Sequence, residues 1–162
     1  MNRRSFLRQT FLFGVATAMT LQSAVAWAVE AITKITHTEE EWEKMLDKPA
    51  FEVLRHEATE HPFTSPLLGE HRKGTFICAG CDLPLFQSDK KFESGTGWPS
   101  FFDAIAGHLE TKVDYKIGLP RTEYHCARCG GHQGHVFNDG PAPTGLRYCN
   151  NGVALKFVPQ EG

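Results

Sequence analysis

Two Cys-x-x-Cys turns, Cys78-Ala79-Gly80-Cys81 and Cys126-Ala127-Arg128-Cys129, constrain this chain more than any other feature, with 44 residues lying between Cys81 and Cys126. The two-residue gap lets both thiolates of one tight turn reach the same ion, and two such turns make a closed tetrahedral four-sulfur site. Gly80 and Gly130-Gly131 offer the backbone freedom such turns use. The spacing favours zinc. Three other readings stand beside it: iron on the same thiolates, two disulfides, or a thioredoxin-like redox pair, although the last expects a single motif in a βαβ context. A zinc held by Cys78, Cys81, Cys126 and Cys129 has no open position for water or substrate. Its expected role is structural, tying two distant turns together.

The N-terminus decides which residues belong to the folded protein. Arg3, Arg4 and Arg8 form a basic segment, Thr10 to Leu21 is a mostly apolar run, and Ala26-Trp27-Ala28 places small residues where a signal peptidase needs them. This is the anatomy of a secretory signal, too short in its core for a stable membrane anchor. The Arg3-Arg4 pair followed by Ser5-Phe6-Leu7 resembles a twin-arginine signal. The expectation is export to the periplasm, with residues 1–28 as signal and 29–162 as one domain. An ordinary signal or an uncleaved anchor is the alternative. Residues 1–28 hold three of the 17 Lys/Arg and none of the 19 Asp/Glu, leaving fourteen bases against nineteen acids, a net charge of −5. That mildly acidic balance gives nucleic-acid binding no electrostatic support.

Thr38-Glu39-Glu40-Glu41 has capping-box spacing, and Trp42, Met45 and Leu46 follow at helical intervals, so a short helix is expected over 39–47. Asp47-Lys48-Pro49 stops it, and Pro49 opens a second helix through Arg55. From Gly74 onward, short runs rich in Phe, Ile, Val, Tyr and Thr alternate with Gly/Pro turns, ending in LRYCNNGVALKFV. The expected fold is mainly β, two antiparallel sheets with short N-terminal helices covering one face and a four-cysteine zinc site.

The fifth cysteine, Cys149, has no partner. If LRYCNNG is a strand, Arg147, Cys149 and Asn151 share a face while Leu146 and Tyr148 point into the core. A guanidinium two residues away favours the nucleophilic thiolate. His132 and His135 stand among glycines just upstream, and a cysteine with histidine and asparagine partners is a recurring nucleophile-plus-acid/base set. Spacing alone leaves Cys149 equally readable as a small core residue, and the histidines as metal ligands. Trp98, framed by Gly97 and Pro99, reads either as a capped core aromatic or as the wall of an apolar pocket.

FICAGCDLPLF, KFESGTGWPSF, EYHCARCGGHQGHVFNDGP and PTGLRYCNNGVALKF, in this order, resemble one family: the type B methionine sulfoxide reductases, which act on the R epimer. The match runs from about Thr33 to Val158. The resemblance implies a structural four-cysteine zinc far from the site and Cys149 as the nucleophile that attacks the sulfoxide sulfur. It makes His135 the leading proton donor, with His132 beside it. It assigns Asn151 to the substrate or water network, Arg147 to thiolate stabilisation, Trp98 to the substrate methyl group and Phe137 to further substrate contact. It implies oxidised proteins as substrate and a thiol reductant as partner.

Many members carry a resolving cysteine where this chain has Thr96. The expectation is therefore a one-cysteine cycle in a monomeric enzyme. From a different class, the remaining alternative is a zinc-stabilised binding module without chemistry, in which Cys149 is core. A thiol–disulfide exchanger working through Cys78 and Cys81 is a third reading.

Overall fold

The computed structural model describes residues 32–161. The expected export signal at 1–28 lies outside them. The order of elements is α1 (Glu39–Met45), α2 (Lys48–His56), β1 (Gly74–Cys78), β2 (Pro84–Gln87), β3 (Lys91–Phe92), β4 (Ser100–Phe101), β5 (Leu109–Asp114), β6 (Arg121–Cys126), β7 (His132–Phe137), β8 (Arg147–Asn150) and β9 (Leu155–Pro159). The strands form two antiparallel sheets, β2-β1-β9 and β3-β4-β8-β7-β6-β5, as the alternating texture predicts.

Local chemistry sets both helices. Thr38 and Glu41 form the expected capping box around α1. Asp47 does more than end that helix: its Oδ1 accepts from Ala50 N at 2.9 Å and caps α2, with Pro49 in the first turn. The α2 helix buries Ala50, Phe51, Val53 and Leu54 and packs against β7. No helix among the described residues is long and apolar enough to cross a membrane.

The sheets meet over aromatic side chains. Phe76 and Phe86 come from the small sheet, Phe101 and Tyr124 from the large one, and all four are wholly buried. Phe86 stacks on Phe101 with ring centroids 4.2 Å apart, and Phe76 meets Phe101 at 4.9 Å. Burying such side chains contributes about 1.5–3 kcal/mol each, before the entropy of ordering them.

The structure departs from the sequence pattern after Cys149. LRYCNNGVALKFV is not one strand. β8 ends at Asn150, a 3-10 turn covers Gly152–Ala154, and β9 crosses to the other sheet. The Glu60 carboxylate accepts from Gly152 N and Val153 N, at 2.5 and 3.1 Å, and so holds the turn that makes this crossing. β5 likewise stops at Asp114 rather than running on through the apolar residues that follow. The short strands β2, β3 and β4 carry too few alternating residues for the pattern to reveal them.

Candidate active site

The four paired cysteines come together at the seam of the two sheets. Cys78 ends β1 in one sheet and Cys126 ends β6 in the other. All four Sγ atoms lie within 4.8 Å of one another, with Cys78–Cys129 at 3.7 Å and Cys81–Cys126 at 3.4 Å. A tetrahedral zinc with Zn–S bonds of about 2.3 Å requires S···S separations near ~3.8 Å, so the donor set fits. None of the four forms a disulfide. In the second turn Gly130 takes φ +66°, whereas in the first it is Asp82, not Gly80, that turns left-handed at φ 57°. The helices close over this cluster: Arg55 donates to Cys129 O at 3.1 Å, and Ile35 N donates to Arg128 O at 2.9 Å. A metal here would staple one sheet to the other and add no reactive position.

Cys149 sits elsewhere, on β8 in the middle of the large sheet. In register it faces His135 on one side and Ser100 on the other. The strands β7 and β8 run unusually close here: a Cβ on Gly134 would lie 1.9 Å from Cys149 O, so only glycine fits. Cys149 is half-buried at a cavity of about 140 Å³ that Trp98, His135, Phe137 and Asn151 also line. Five of the residues singled out from sequence thus meet in one place. Two rigid aromatic walls beside one thiol suit a small apolar group attached to a polar centre.

His132 and Arg147 are not in that lining; they support it from behind. His132 is buried, donates from Nδ1 to Glu123 Oε1 at 2.6 Å, and its ring lies 5.6 Å from that of His135. His135 donates from Nε2 to Asp114 Oδ2 at 2.7 Å. That bond fixes the tautomer of a neutral ring and leaves Nδ1 as its free basic nitrogen. Among the described residues, neither histidine belongs to the four-cysteine cluster.

The charges around the site are tightly paired. Lys116 N, His135 and Arg121 all donate to Asp114, which holds its carboxyl far below the usual range. Burial works to raise the Glu123 carboxyl, but donation from His125 and His132 keeps it at about 2. Burial lowers His135, against the opposing pull of Asp114. Arg147 forms a forked ion pair with Asp139, at 2.8 and 2.9 Å, and its guanidinium stacks over Phe137 at 4.3 Å.

Sequence reasoning expected Arg147 to give Cys149 a low pKa, and the structure corrects this. Burial pushes the Cys149 thiol above its ordinary value, and the Thr96 hydroxyl and Arg147 pull against that without overcoming it. Asp139, paired with the arginine, adds a smaller upward push. Near neutral pH the resting site is a protonated thiol beside a neutral imidazole.

Asn151 also departs from its expected place, because β8 ends before it. Its Nδ2 donates to Gln133 O at 3.0 Å and its Oδ1 accepts from Glu60 N at 3.1 Å, while Glu60 O accepts from Trp98 Nε1 at 3.1 Å. Asn151 therefore fixes the wall that carries Trp98. The fully buried Asn150 accepts from Tyr124 OH at 2.8 Å and donates to Gln133 Oε1 at 3.3 Å. Gln133 Nε2 in turn donates to Cys78 Sγ at 3.4 Å, a polar thread from the four-cysteine cluster to the residues flanking Cys149.

Sequence reasoning missed Asp114, Arg121, Glu123 and Glu60. Arg121-Thr122-Glu123 carried the only signal, charged side chains in a β-run headed for the interior. Nothing in sequence marks Asp114 or Glu60, since their partners are 21 and 92 positions away. Thr96 Oγ1 lies 4.0 Å from Cys149 Sγ.

A family model described as the SelR domain matches residues 46–159. The chain is 53% identical over 131 residues to a peptide methionine sulfoxide reductase MsrB of Pseudomonas putida, covering 80% of this chain and 98% of that one. It is 51% identical over 128 residues to the protein of the same name from Bradyrhizobium diazoefficiens, covering 78% and 92%. Among solved structures, the Mis18 Yippee-like domain aligns with a TM-score of 0.46 and 19% identity over 56% of this chain and 100% of that one, a likeness too partial to bear on function.

Proposed function

This chain belongs to the SelR-domain family and is a peptide-methionine (R)-S-oxide reductase, and from that premise we propose that Cys149 reduces the sulfoxide by itself becoming oxidised. The observation that carries this reading is the Cys149 thiol at a small cavity walled by Trp98 and Phe137, with His135 opposite in register. The binding-module and thiol-exchange readings do not survive the family membership.

The sulfoxide methyl group packs on Trp98 and Phe137, bringing its sulfur to Cys149 Sγ. His135 Nδ1 takes the thiol proton and delivers it to the sulfoxide oxygen, which makes the sulfur electrophilic as the thiolate attacks. The S=O bond breaks, the oxygen ends on Cys149, and methionine leaves. One thiol plus one sulfoxide yields one sulfenic acid plus one thioether, so atoms and electrons balance. A protonated Cys149 and a neutral His135 together hold the single proton the step consumes. His132 and Glu123 support the ring of His135, Asp114 sets its tautomer, Arg147 steadies the developing thiolate, and Asn151 holds the Trp98 wall.

The sulfenic acid then needs two electrons. Thr96 sits where a second thiol would reach Cys149, and the other four cysteines are gathered in the metal cluster. An external thiol therefore condenses with the sulfenic acid, releasing water and leaving a mixed disulfide. A second external thiol releases Cys149 as the free thiol. Zinc is the metal the four thiolates suit best. When bound, it supplies a cross-link between the sheets.

The segment 1–28 supports export by the twin-arginine route, and 29–162 works as one monomeric domain without a stable membrane anchor. Its task is repair of oxidised proteins in the periplasm. Twin-arginine export carries folded proteins, which allows the metal to be loaded before oxidants reach the thiols.

The test is Cys149→Ser. Dithiothreitol-driven reduction of methionine-R-sulfoxide should vanish while metal content and fold persist; undiminished turnover would sink the mechanism. Mass spectrometry of wild-type enzyme treated with substrate and no reductant should show one added oxygen on Cys149. A disulfide between Cys149 and a cluster cysteine would overturn the one-cysteine cycle.

A further inference from the structure

The loop joining β5 to β6, residues 115–120, is unusual for a solvent-facing turn. Tyr115, Ile117 and Leu119 are 67%, 60% and 67% exposed, and Val113 just before them is 59% exposed. Among the described residues, five large apolar side chains are exposed to at least 59%, and four lie on this one hairpin. A fifth is Phe63, 71% exposed, held at φ 63° with its N–H donating to Gly97 O at 2.7 Å. Gly97 immediately precedes Trp98, so Phe63 packs beside the turn that carries the Trp98 wall. A Cβ on Gly97 would come within 2.9 Å of the Phe63 ring, which shows how closely that ring lies on the turn. Clustered exposed apolar side chains of this kind mark interaction surfaces, whereas scattered ones need no explanation.

The hairpin is held firmly to the catalytic residues. Asp114 and Arg121, paired across its base at 2.5 Å, are the groups whose carboxylate fixes His135. Lys116 bonds Glu57 at 2.5 Å, and Gly118 N donates to Tyr115 O at 2.9 Å, so the tip is a tied turn. Ile117 lines a cavity of about 220 Å³ with His132 and His135, and that cavity shares Thr59, Arg121 and His135 with the Cys149 cavity. The apolar tip is thus continuous with the place where the sulfoxide is reduced.

We propose that the β5–β6 hairpin tip is the docking surface for the polypeptide on either side of the oxidised methionine, binding an extended apolar stretch of unfolded or loosened protein. The inference rests on the reductase reading. It deepens that reading by naming what selects a peptide over a free amino acid. A substrate that is itself a polypeptide must lay its flanking residues over the rim, and the rim this chain presents is Tyr115, Ile117 and Leu119. The reach is reasonable. β8 and β5 are three strand spacings apart in the sheet, roughly 14 Å at about 4.8 Å each. Cys149 aligns through His135 and Glu123 with Lys112, and Tyr115 lies three residues beyond it, about 10 Å along the strand. An extended chain covers the combined distance, roughly 17 Å, in about five residues. Residues about five positions from the sulfoxide are the ones that should touch the tip.

The experiment compares two substrates on wild type and on the triple variant Tyr115→Ser, Ile117→Ser, Leu119→Ser. All three side chains are exposed, so the fold should tolerate the change, and circular dichroism checks it. One substrate is N-acetyl-methionine-R-sulfoxide amide, which has no flanks. The other is an undecapeptide with the sulfoxide central and five apolar residues on each side. The variant should lose about tenfold in kcat/KM on the undecapeptide, mainly through KM, the scale set by losing a few partly exposed apolar contacts. On the small substrate it should stay within about twofold of wild type. Equal loss on both substrates would reassign the tip to holding Asp114 and His135 in place, and no loss on either would remove it from the substrate path; both results overturn the proposal. A wild-type dimer in light scattering that the variant dissolves would assign the face to a second copy and overturn it too. If wild type reduces neither substrate, the reductase reading itself has failed, which is a different result.

Discussion

The four clustered cysteines and Cys149 are thiols of one protein in opposite surroundings. The cluster sits at the seam between the sheets, contributed by two turns that neither sheet could bring together alone. Every sulfur there has other sulfurs as neighbours. Cys149 lies within one sheet, between β4 and β7, and its neighbours are a hydroxyl, an imidazole and a cavity. Four thiols that saturate one another around an ion add stability and no reactivity. A single thiol with an empty space before it and a proton carrier beside it adds reactivity at a cost in stability, since it leaves a polar group half-buried without a strong partner. Gln133 joins the two regions, touching Cys78 at one end of its amide and Asn150 at the other.

The sharpest way to break this comparison is to remove one cluster ligand. Cys126→Ser should release the metal and lower Tm by roughly 10 °C or more, because a structural zinc supplies folding energy outright. Activity should fall with the fold rather than before it. Differential scanning calorimetry with a metal count on the same sample reads both, and an unchanged Tm would mean the sheets do not depend on the staple.

A middle-sized effect is expected in the pH profile. In the mechanism proposed above, the active form holds one proton shared between Cys149 and His135. A second proton on His135 blocks it as an acceptor, and because burial lowers that pKa, the acid limb should lie below pH 6.5. Loss of the shared proton also stops the reaction, and because burial raises Cys149, the alkaline limb should lie above pH 9.0. Single-turnover rates from pH 5 to 10.5 should therefore show a broad plateau. Iodoacetamide labelling of Cys149, which needs thiolate alone, should still be rising at pH 9. A labelling midpoint near pH 6 would restore the low-pKa thiolate expected from the nearness of Arg147.

The smallest effect sharpens the comparison instead of breaking it. Gln133→Leu removes the polar thread between the regions. It should cost about 1–3 kcal/mol in urea unfolding, the range for depriving buried polar groups of a partner. It should also speed metal loss to a chelator, since Cys78 loses a donor. Iodoacetamide labelling of Cys149 at pH 9 should move by less than about threefold, because Tyr124 and the Asn151 carbonyl still hold Asn150. A larger change would mean that the cluster tunes the nucleophile.

Much of this protein is written in short-range pattern. The capping box at Thr38 and the two Cys-x-x-Cys turns each involve residues within a few positions of one another, and each forms where expected; the alternating β-runs give strands, but not always their ends. Asn151 shows where such reading stops. Alternation put it on the face of Cys149, but Glu60 captures Gly152 and Val153 and ends the strand first. Arg147 shows the same limit in electrostatics. Its proximity to Cys149 is visible in sequence, whereas the decision of Asp139 to fork onto it comes from the turn between β7 and β8.

By itself the sequence determined the inventory: four cysteines spaced for one ion, a fifth left over, and two histidines among glycines. Spacing along the chain is enough for that, because a metal turn or a helix cap is complete within a few residues. Only the tertiary structure decided which carboxylate sets His135, why Cys149 rests as a thiol, and that an apolar hairpin tip borders its cavity. These depend on strand register and on burial. Asp114 reaches His135 because β5, β6 and β7 align as they do, and the Cys149 proton is held by the exclusion of water that only a packed sheet provides.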